Sequence, residues 1–438
     1  MIQAVVANDI RMRTAQIAPA SLNALKSRLR FENPAYVNAI RLGLKARKIP
    51  RELECFDEIG LYMSIPRGAV KIVKELIPDV QFIDCRSTCK RLFLPRDIPL
   101  RDYQQEAVSA FCAKLQGYIV IPCGGGKTRV AMGILGRLGL KTLVLVHTND
   151  LLDQWRSEAT KFGLPITVRT IQGLMENPER YKAMNDCDFL IVDEAHHIAA
   201  PTFHDLVHLS RARYRLGLTA TPDRADGLND YLNLYFGERV YEISHVDLVR
   251  RGVLVVPKIR CVETAFQYPY HDSDDYAPMI KALVEDQERN SLIVKTVRET
   301  IGPGDVGLVL SNRIEHCEEL ARLLRHRGLM AESVTSQIPK KERQWRFEAA
   351  RKGQLQVLCA TSLADEGLDL PILSRIYLVF PARAQTRTTQ RLGRLMRPHP
   401  DKGQAILFDF VDNVRALRFQ YADRRRLYNR ILGCSSVM

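Results

Sequence analysis

The sequence predicts an α/β protein with two tandem parallel-sheet domains, preceded by a small basic α+β domain. Short apolar runs alternate with amphipathic stretches, which is the pattern of parallel strands joined by crossover helices. The runs of the first sheet are GYIVIP (117–122), KTLVLVHT (141–148), ITVRTI (166–171), DFLIVDEA (188–195) and YRLGLTAT (214–221). Those of the second sheet are GDVGLVLS (304–311), LMAESVTS (329–336), LQVLCATS (355–362), SRIYLVFP (374–381) and GQAILFDF (403–410). Polar residues crowd the carboxyl ends of these runs, where ligands bind in such sheets.

The composition fits several globular domains and a polyanionic partner. The chain has 438 residues, 46% of them hydrophobic, which suits about two to three domains with full cores. Lys and Arg number 64 against 50 Asp and Glu, and residues 1–97 alone hold 17 basic and 10 acidic residues. This excess favours a nucleic acid as partner. Anionic lipid is the alternative, but the sequence shows no long amphipathic basic helix to support it.

The cysteines and the apolar runs predict a cytoplasmic protein without a membrane span. Of ten scattered cysteines only Cys85 and Cys89 lie close together, and no second pair follows at zinc-finger spacing. They are interpreted as reduced thiols. The N-terminus lacks a signal-peptide layout, and no apolar run approaches the ~18 residues of a membrane helix.

Three domains are predicted along the chain. They are an accessory domain at 1–97, a first sheet domain at 98–252 and a second sheet domain at 253–438. Within the accessory domain, FENPAYVNAIRLGLKARKIP (31–50) predicts a helix and a turn, and LECFDEIGLYMSIPRG (53–68) predicts a hairpin. AVKIVKELIPD (69–79) predicts a second helix.

The segment IPCGGGKT (121–128) predicts a phosphate-binding loop. It follows a predicted strand and precedes the helical pattern RVAMGILGRL, which is the context that such a loop requires. Backbone N–H groups of the loop would turn toward the phosphates, Lys127 would contact the β- and γ-phosphates, and Thr128 would ligate magnesium. The loop residues are Cys123, Gly124, Gly125 and Gly126. The alternative is a tight glycine turn that binds no nucleotide.

The segment DEAH (193–196) completes the predicted ATP and Mg²⁺ site. Asp193 would hold magnesium through water, and Glu194 would polarise the attacking water. Acidic residues at a strand end are commonly helix caps, but GGGKT in the same chain favours the nucleotide site. His196 is interpreted as a link between hydrolysis and the other domain, and His197 as structural, like His204.

Residues upstream of the loop predict an adenine contact. LRDYQ (100–104) ends in Gln104, whose amide both donates and accepts hydrogen bonds and so suits the N6 and N7 edge of adenine. Arg101 or Tyr103 would lie nearby. An ordinary amphipathic helix start is the alternative.

A basic segment near the C-terminus predicts catalytic arginines. QRLGRLMR (390–397) places Arg394 and Arg397 three residues apart on one helix face, beside Gln390 and Arg391. Arginines delivered from a second domain stabilise transition-state charge and contribute ~10³–10⁵ in rate. The alternative is a solvated basic helix that binds phosphates.

Taken together, these segments resemble those of the superfamily 2 helicases. Within this superfamily the chain is similar to the group of XPB and UvsW, and most to phage branch-migration helicases. The ordered motifs cover about residues 100–412. They are LRDYQ, IPCGGGKT, LVLVHTNDLLDQW, TIQG, DEAH, TAT, VLSNRIEHCEELARLL, ATSLADEGLDLP and QRLGRLMR.

The resemblance implies two RecA-like domains and an ATP-hydrolysing DEAH-box DNA helicase or translocase. The enzyme would track a single strand 3′ to 5′ on branched or forked DNA, in replication, recombination or repair, with partner proteins from those processes. If phage-encoded, it would act in the host cytoplasm. The N-terminal region would engage duplex DNA.

The resemblance also implies roles for further residues. Thr219 and Thr221 would couple the ATP state to the grip on DNA, while Glu366, Gly367 and Asp369 would touch nucleotide and strand. The sugar-phosphate backbone would be held by Thr148, Gln172, Ser311 and Thr361, because hydroxyls and amides bind phosphates without reading bases.

Three alternatives stay open at the level of sequence. The chain could be an RNA helicase, although the TAT, LRDYQ and TPDRADG segments favour DNA. It could also be a non-unwinding DNA-dependent ATPase subunit of a repair complex, or the motor of a restriction or defence complex. The basic segment 413–438, with Arg415, Arg418 and Arg424–Arg426, is either a DNA-facing helix or a solvated cap.

Overall fold

The computed structural model divides the chain into two compact units. The first is Met1–Ile121 with Gly126–Ile243, and the second is Ser244–Met438 with Pro122–Gly125. The structure describes residues 2–41, 47, 49–93, 96–199, 201–220, 230–272, 274–361, 370–381 and 385–433. The functional division at residues 97 and 252 stays a prediction.

The N-terminal part of the first unit is a five-stranded mixed sheet with short helices. Its elements are β1 (Ile2–Val6), β2 (Asp9–Arg13), α1 (Pro19–Arg28), β3 (Arg30–Glu32), α2 (Pro34–Arg41), β4 (Glu52–Glu54), β5 (Asp57–Ile59), β6 (Tyr62–Pro66), α3 (Val70–Leu76) and β7 (Val80–Asp84). The strand order is β5-β6-β2-β1-β7, and β3 pairs with β4 separately. β1 and β7 are parallel, and the other pairs are antiparallel. The predicted helix α2, hairpin β5–β6 and helix α3 are confirmed.

The first parallel sheet follows in the same unit. Its elements are α4 (Asp102–Lys114), β8 (Gln116–Val120), α5 (Lys127–Leu138), β9 (Thr142–Val146), α6 (Asn149–Lys161), β10 (Ile166–Thr170), α7 (Ile171–Met175), α8 (Arg180–Asn185), β11 (Phe189–Val192), α9 (Pro201–Leu209), β12 (Tyr214–Thr219), α10 (Asp230–Phe236) and β13 (Arg239–Glu242). The strand order is β10-β9-β11-β12-β8-β13, with every pair parallel. β9 and β11 are wholly buried, as strands covered on both faces must be.

The second unit holds the second parallel sheet. Its elements are α11 (His245–Arg250), β14 (Lys258–Glu263), α12 (Tyr276–Glu285), α13 (Gln287–Thr300), β15 (Val306–Leu310), α14 (Ile314–His326), β16 (Ala331–Val334), α15 (Lys340–Arg351), β17 (Val357–Ala360), β18 (Leu373–Leu378), α16 (Gln385–Leu395), β19 (Ile406–Val411) and α17 (Arg415–Leu432). The order is β14-β19-β18-β15-β17-β16, again all parallel.

All ten predicted apolar runs contain strands, and the predicted α/β class is confirmed. The sequence did not predict the edge strands β13 and β14. Their segments, RVYE and KIRCVE, mix charged with apolar residues and keep exposed positions, so they lack the apolar run that marks a central strand.

One expectation from the composition was wrong. The structure contains a long basic amphipathic helix, α17, with 18 residues. Its apolar side is buried in the second unit, where Leu417, Leu427 and Ile431 are at most 6% exposed. No helix in the described part of the chain combines the length and apolarity that a membrane crossing needs.

The N-terminal sheet and the first parallel sheet share one hydrophobic core. Buried residues of both belong to the same cluster, among them Ile10 and Met63 of the N-terminal sheet and Leu234 of α10. Gly68 lies against α10 so closely that a Cβ there would meet the Asn233 carbonyl oxygen at 2.0 Å. Glycine is therefore required at this position.

Two buried arginines join the same parts of the first unit. Arg67 Nη1 donates to the carbonyl oxygen of Ala212 (2.6 Å). Arg215 Nη2 donates to the carbonyl oxygens of Asn8 (2.9 Å) and Ser210 (2.6 Å). Burial lowers the pKa of Arg67 and brings the pKa of Arg215 to about 10. The carbonyl oxygens compensate the desolvation of both guanidinium groups.

In the second unit, a buried ion pair ties α13 to the end of β19. Arg289 Nε and Nη2 donate to the two carboxylate oxygens of Asp412 at 2.6 and 3.1 Å. Thr264 Oγ1 donates to the same carboxylate at 2.6 Å, and Arg289 also reaches the carbonyl oxygen of Val379. Both charged side chains are at most 2% exposed.

The next residue of α13 anchors α14 through a directed chain of hydrogen bonds. Asn290 Oδ1 lies 2.9 Å from His316 Nε2, and His316 Nδ1 lies 2.9 Å from Ser311 Oγ. Because an amide oxygen only accepts, Nε2 carries the proton and Nδ1 accepts from the serine hydroxyl. Burial, with the charge of Arg289, lowers the pKa of His316 to about 3.

Replacing the buried carboxylate is expected to destabilise the second unit. In Asp412→Asn the Arg289 charge stays buried without its counter-charge, which costs about 3–5 kcal/mol. Asp401→Asn, on an exposed side chain (80%), is the matched control and is expected to change stability by less than about 0.5 kcal/mol. Hydrogen exchange of peptides from residues 258–433 measures the change. Equal protection in the two variants would contradict the assignment.

The neutral state of His316 predicts a pH-dependent stability. The pKa of His316 is lower in the folded than in the unfolded chain. The contribution of neutral His316 to the free energy of unfolding is therefore fully present above about pH 6.5. It is lost as the pH falls toward 3, by about 1.4 kcal/mol per pH unit. The variant His316→Gln has no titrating group at this position and lacks this pH dependence. The difference in free energy of unfolding between the wild type and the variant should therefore shrink as the pH falls from 6.5 to 4.5. His326→Gln, exposed on the same helix, is the control and should keep the wild-type slope.

Candidate nucleotide site

The phosphate loop connects the end of β8 to the start of α5. Gly124 and Gly126 have φ values of +85° and +80°, a region that side chains with a Cβ rarely adopt. Gly126 is the N-cap of α5, and its carbonyl oxygen accepts from Val130 N at 3.1 Å. The helix therefore begins at Lys127 with Thr128 in its first turn, and its N-terminus carries a partial positive charge suited to phosphate.

Lys127 and the two acidic residues form one largely buried group. Lys127 Nζ lies 3.2 Å from Glu194 Oε1, and the side chains are 11% and 17% exposed. Asp193 follows the end of β11, and its Oδ1 accepts from Glu194 N at 2.9 Å. Glu194 has a φ of +50°, which is rare for a residue with a side chain. Such backbone strain clusters at functional sites.

Trp155 is a member of this group that the sequence did not reveal as a site residue. Its indole Nε1 donates to Asp193 Oδ2 at 2.8 Å. Trp155 lies on α6 and is fully buried. The only signal in the sequence was a tryptophan inside a segment with a family resemblance, because the two residues are 38 positions apart.

The charges of the group are unequal. Burial, together with the charge of Glu194, raises the pKa of Asp193 to about 6. Burial acts on Glu194 in the same sense, but the charges of Lys127 and His196 outweigh it and lower that pKa. Two adjacent carboxylates thus lie beside the Lys127 ammonium in a largely buried setting. The donor set, with the Thr128 hydroxyl nearby in sequence, fits a hard divalent cation such as Mg²⁺.

His196 connects the acidic pair to the neighbouring strand. Its Nδ1 lies 3.1 Å from Thr219 Oγ1 at the end of β12 and 3.4 Å from Glu194 Oε2. The residue that follows β8 is also bound to the end of β12, because Ile121 N donates to the Thr219 carbonyl oxygen at 3.0 Å. The ring of His197 lies edge-on to the ring of His147, with 4.0 Å between the ring centroids.

The predicted adenine residue lies directly beside the phosphate loop. Gln104 is 5% exposed, and its Oε1 accepts from Arg101 N at 3.0 Å at the start of α4. A Cβ on Gly126 would lie 2.5 Å from Gln104 Nε2. The structure therefore places Gln104 next to the loop, and Gln104 contacts Arg101 and Tyr103.

The predicted nucleic-acid residues occupy strand ends and helix starts in the two units. Thr148 is the N-cap of α6 and accepts from Leu151 N, while Gln172 on α7 donates to Glu176. The Ser311 hydroxyl is bound to His316. Thr361 follows β17 and is 9% exposed.

The predicted arginines lie at the end of one helix in the second unit. Gln390 and Arg394 are on α16, and Arg397 N donates to the Arg394 carbonyl oxygen just beyond it. The Lys402 ammonium closes this end by donating to the carbonyl oxygens of Leu395 and Arg397 at 2.5 and 2.8 Å. Thr221, Glu366, Gly367 and Asp369 lie outside the described residues.

Two families match the chain over both parallel sheets. The family described as "Type III restriction enzyme, res subunit" matches residues 97–165 and 163–224. The family described as "Helicase conserved C-terminal domain" matches residues 289–399.

Two relatives are similar over most of this chain. The DNA 3'-5' translocase XPB2 of Sulfurisphaera tokodaii is 27% identical, over 75% of this chain and 85% of that protein. The DNA 3'-5' helicase XPB of Kineococcus radiotolerans is 30% identical, over 75% of this chain and 62% of that protein. The chain thus spans less than two thirds of the second relative.

A solved structure shows the same fold. The helicase domain of Hef from Pyrococcus furiosus matches with a TM-score of 0.51 and 18% identity, covering 74% of this chain and 98% of that chain. The expected tandem RecA-like architecture is therefore confirmed. The segments IPCGGGKT and DEAH follow the ends of β8 and β11, where such sheets bind their ligands. The chain belongs to the superfamily 2 helicases and is similar to the group that includes XPB.

Proposed function

We propose that the protein is an ATP-dependent DNA helicase or translocase that acts on branched or forked DNA, moving 3′ to 5′. The observation that carries the proposal is the buried group of Lys127, Glu194, Asp193 and Trp155 beside the phosphate loop. Two relatives named as DNA 3'-5' enzymes support the substrate and the direction. The process would be replication, recombination or repair.

In this proposal the loop residues from Cys123 to Thr128 hold ATP and Mg²⁺. The backbone N–H groups and the α5 N-terminus bind phosphate oxygens, while Thr128 and Asp193 hold the metal. When bound, the metal neutralises charge on the phosphates. Lys127 leaves its contact with Glu194 to reach the β- and γ-phosphates. Gln104 and Arg101 would bind the adenine.

Glu194 is the residue that positions the attacking water. Its lowered pKa keeps it ionised at neutral pH, so it can accept a hydrogen bond from that water. Once Lys127 turns to the phosphates, the carboxylate is free to orient the water in line with the γ-phosphate. His196 lies between Glu194 and Thr219 and transmits the state of the site to the end of β12.

The second unit supplies the remaining catalytic groups in this proposal. Arg394 and Arg397, supported by Gln390, stabilise the charge that develops on the phosphoryl group. Gly367 and Asp369 contact nucleotide and strand, and Thr221 takes part in coupling. The DNA backbone is held by Thr148, Gln172, Ser311 and Thr361, and residues 1–97 engage the duplex.

A second candidate is the motor of a restriction or defence complex. The match of residues 97–224 to a restriction-enzyme subunit family favours it. Such a motor hydrolyses ATP on DNA without displacing a strand. An RNA helicase would show the same ATP site and a different activating nucleic acid.

Hydrolysis and strand displacement should depend on residues of both units. The full chain is assayed with forked DNA, single-stranded DNA, blunt duplex and matched RNA. Lys127→Ala should abolish hydrolysis because the β- and γ-phosphates lose the Lys127 ammonium, and Arg394→Ala should reduce it by ~10³–10⁵. Lys182→Ala and Arg298→Ala, on exposed side chains of the two units, serve as matched controls.

Forked DNA should give the strongest stimulation and measurable displacement in the wild type and both controls. Hydrolysis stimulated by DNA without displacement on any substrate would favour the restriction-type motor. Selective stimulation by RNA would overturn the DNA assignment.

Trp155 should govern the requirement for magnesium. Trp155→Phe keeps an aromatic ring but removes the donor to Asp193 Oδ2, and loss of such a supporting contact weakens metal affinity by ~10–100-fold. The half-saturating Mg²⁺ concentration for hydrolysis should rise accordingly. The control is Trp345→Phe, on an exposed tryptophan of α15. An equal magnesium requirement in both variants would remove Trp155 from the site.

A further inference from the structure

Helix α17 presents a continuous row of arginines to solvent. Its exposed residues are Arg415, Arg418, Phe419, Ala422, Arg425, Arg426, Asn429 and Arg430. At 3.6 residues per turn, the five exposed arginines fall within about 140° of the helix circumference. They therefore share one face, and the helix uses arginine throughout, with no lysine.

The opposite face of α17 fixes the helix rigidly in the second unit. Arg424 is the one arginine of the helix that points inward. Its Nε and Nη2 donate to the two oxygens of Asp409 on β19 at 2.8 and 2.7 Å. Tyr428 Oη donates to the same carboxylate at 2.7 Å, and all three side chains are buried. α17 also packs against α16.

The charge of the exposed face is largely uncompensated. Arg418 lies 3.7 Å from Glu263, and Arg426 pairs with Asp423 within the helix. Arg425 and Arg430 form no ion pair with any residue that the structure describes. Arg415 lies over the ring of Phe419, 5.8 Å from its centroid. Exposed pairs contribute little energy and exchange readily for a stronger anion.

The chemistry of this face selects phosphate. A guanidinium presents a planar fork of donors that matches phosphate oxygens in pairs, and arginine is preferred over lysine where such recognition matters. The row from Arg415 to Arg430 extends about 22 Å along the helix axis. A duplex offers phosphates at fixed intervals over about six to seven base pairs in that length.

A membrane does not suit the same helix. Basic helices bind lipid surfaces by inserting their apolar face between the headgroups. In α17 the apolar face is buried in its own unit, and Phe419 is the only large apolar side chain on the exposed face. A rigid arginine row without an insertable face fits a rigid polyanion.

We propose that the exposed face of α17 binds the phosphate backbone of duplex DNA. This assigns a duplex-binding surface to the second unit, in addition to the one proposed for residues 1–97. The inference rests on the proposed function for the identity of the polyanion alone.

The test is a triple variant, Arg418→Gln, Arg425→Gln and Arg430→Gln, in the full chain. Glutamine keeps helix propensity and length while removing charge. Binding to a blunt duplex is measured without ATP across a series of salt concentrations. The affinity at fixed salt should fall at least about tenfold. The slope of log affinity against log salt should become shallower by about two to three.

The matched control removes three exposed charges elsewhere in the same unit: Lys295→Gln, Arg298→Gln and Arg327→Gln. A duplex affinity and a salt slope that change only in the α17 variant would support the proposal. Equal losses in both variants would mean a general effect of net charge and would overturn it.

Two further ligands separate this surface from other occupants. Single-stranded DNA should bind the α17 variant within about twofold of the wild type, and an equal loss on single strands would overturn the duplex assignment. Vesicles of phosphatidylglycerol should not bind through this helix. Vesicle binding that disappears in the α17 variant while duplex binding is unchanged would also overturn it.

The proposed function has its own readout in the same samples. Stimulation of ATP hydrolysis by single-stranded DNA should be equal in the wild type and the α17 variant. Absence of stimulation in the wild type would refute the proposed motor activity, whatever the duplex affinities show. A stimulated motor whose duplex binding ignores α17 would refute the further inference alone.

Discussion

The group of two adjacent carboxylates and one ammonium at the end of β11 is the constraint around which the first sheet is arranged. Carboxylates lose hydration on burial and need compensating charges or donors. Lys127, Trp155 and His196 provide this compensation from α5, α6 and the 3-10 helix Ala195–Ala199. The parallel order of the strands brings these elements to one edge. The same imbalance of charge that costs folding energy makes the edge receptive to a cation and a polyphosphate.

The sequence was a good guide wherever function depends on short segments at strand ends. The phosphate loop and the acidic pair are each contiguous, and apolar runs before them marked the strands. What it could not supply was tertiary pairing. Trp155 supports Asp193 from another helix, and Gln104 lies against Gly126 although 22 positions separate them in the chain.

Hydroxyl groups and arginines also show that the sequence does not reveal which partner a side chain binds in the fold. Ser311 was expected to bind a nucleic-acid backbone, and the structure shows its hydroxyl already donated to His316. The run Arg424–Arg426 is uniform in sequence, but Arg424 neutralises Asp409 inside the fold while Arg425 is exposed. Helical periodicity separates the two faces of α17 but does not show which of them is buried. That depends on the strand against which the helix packs, β19, and only the fold reveals this strand.

The common core of the N-terminal sheet and the first parallel sheet bears on how such a protein can evolve. Gly68 touches the backbone of α10. Arg67 and Arg215 each donate to a carbonyl oxygen across the same boundary, Arg67 to Ala212 and Arg215 to Asn8. Removing residues 1–97 would expose to water the Ala212 carbonyl oxygen and apolar side chains that pack beneath the first parallel sheet. The region is therefore not an interchangeable module. Any change in what it contacts must be acquired by substitutions on its surface, with the buried half of the sheet held constant.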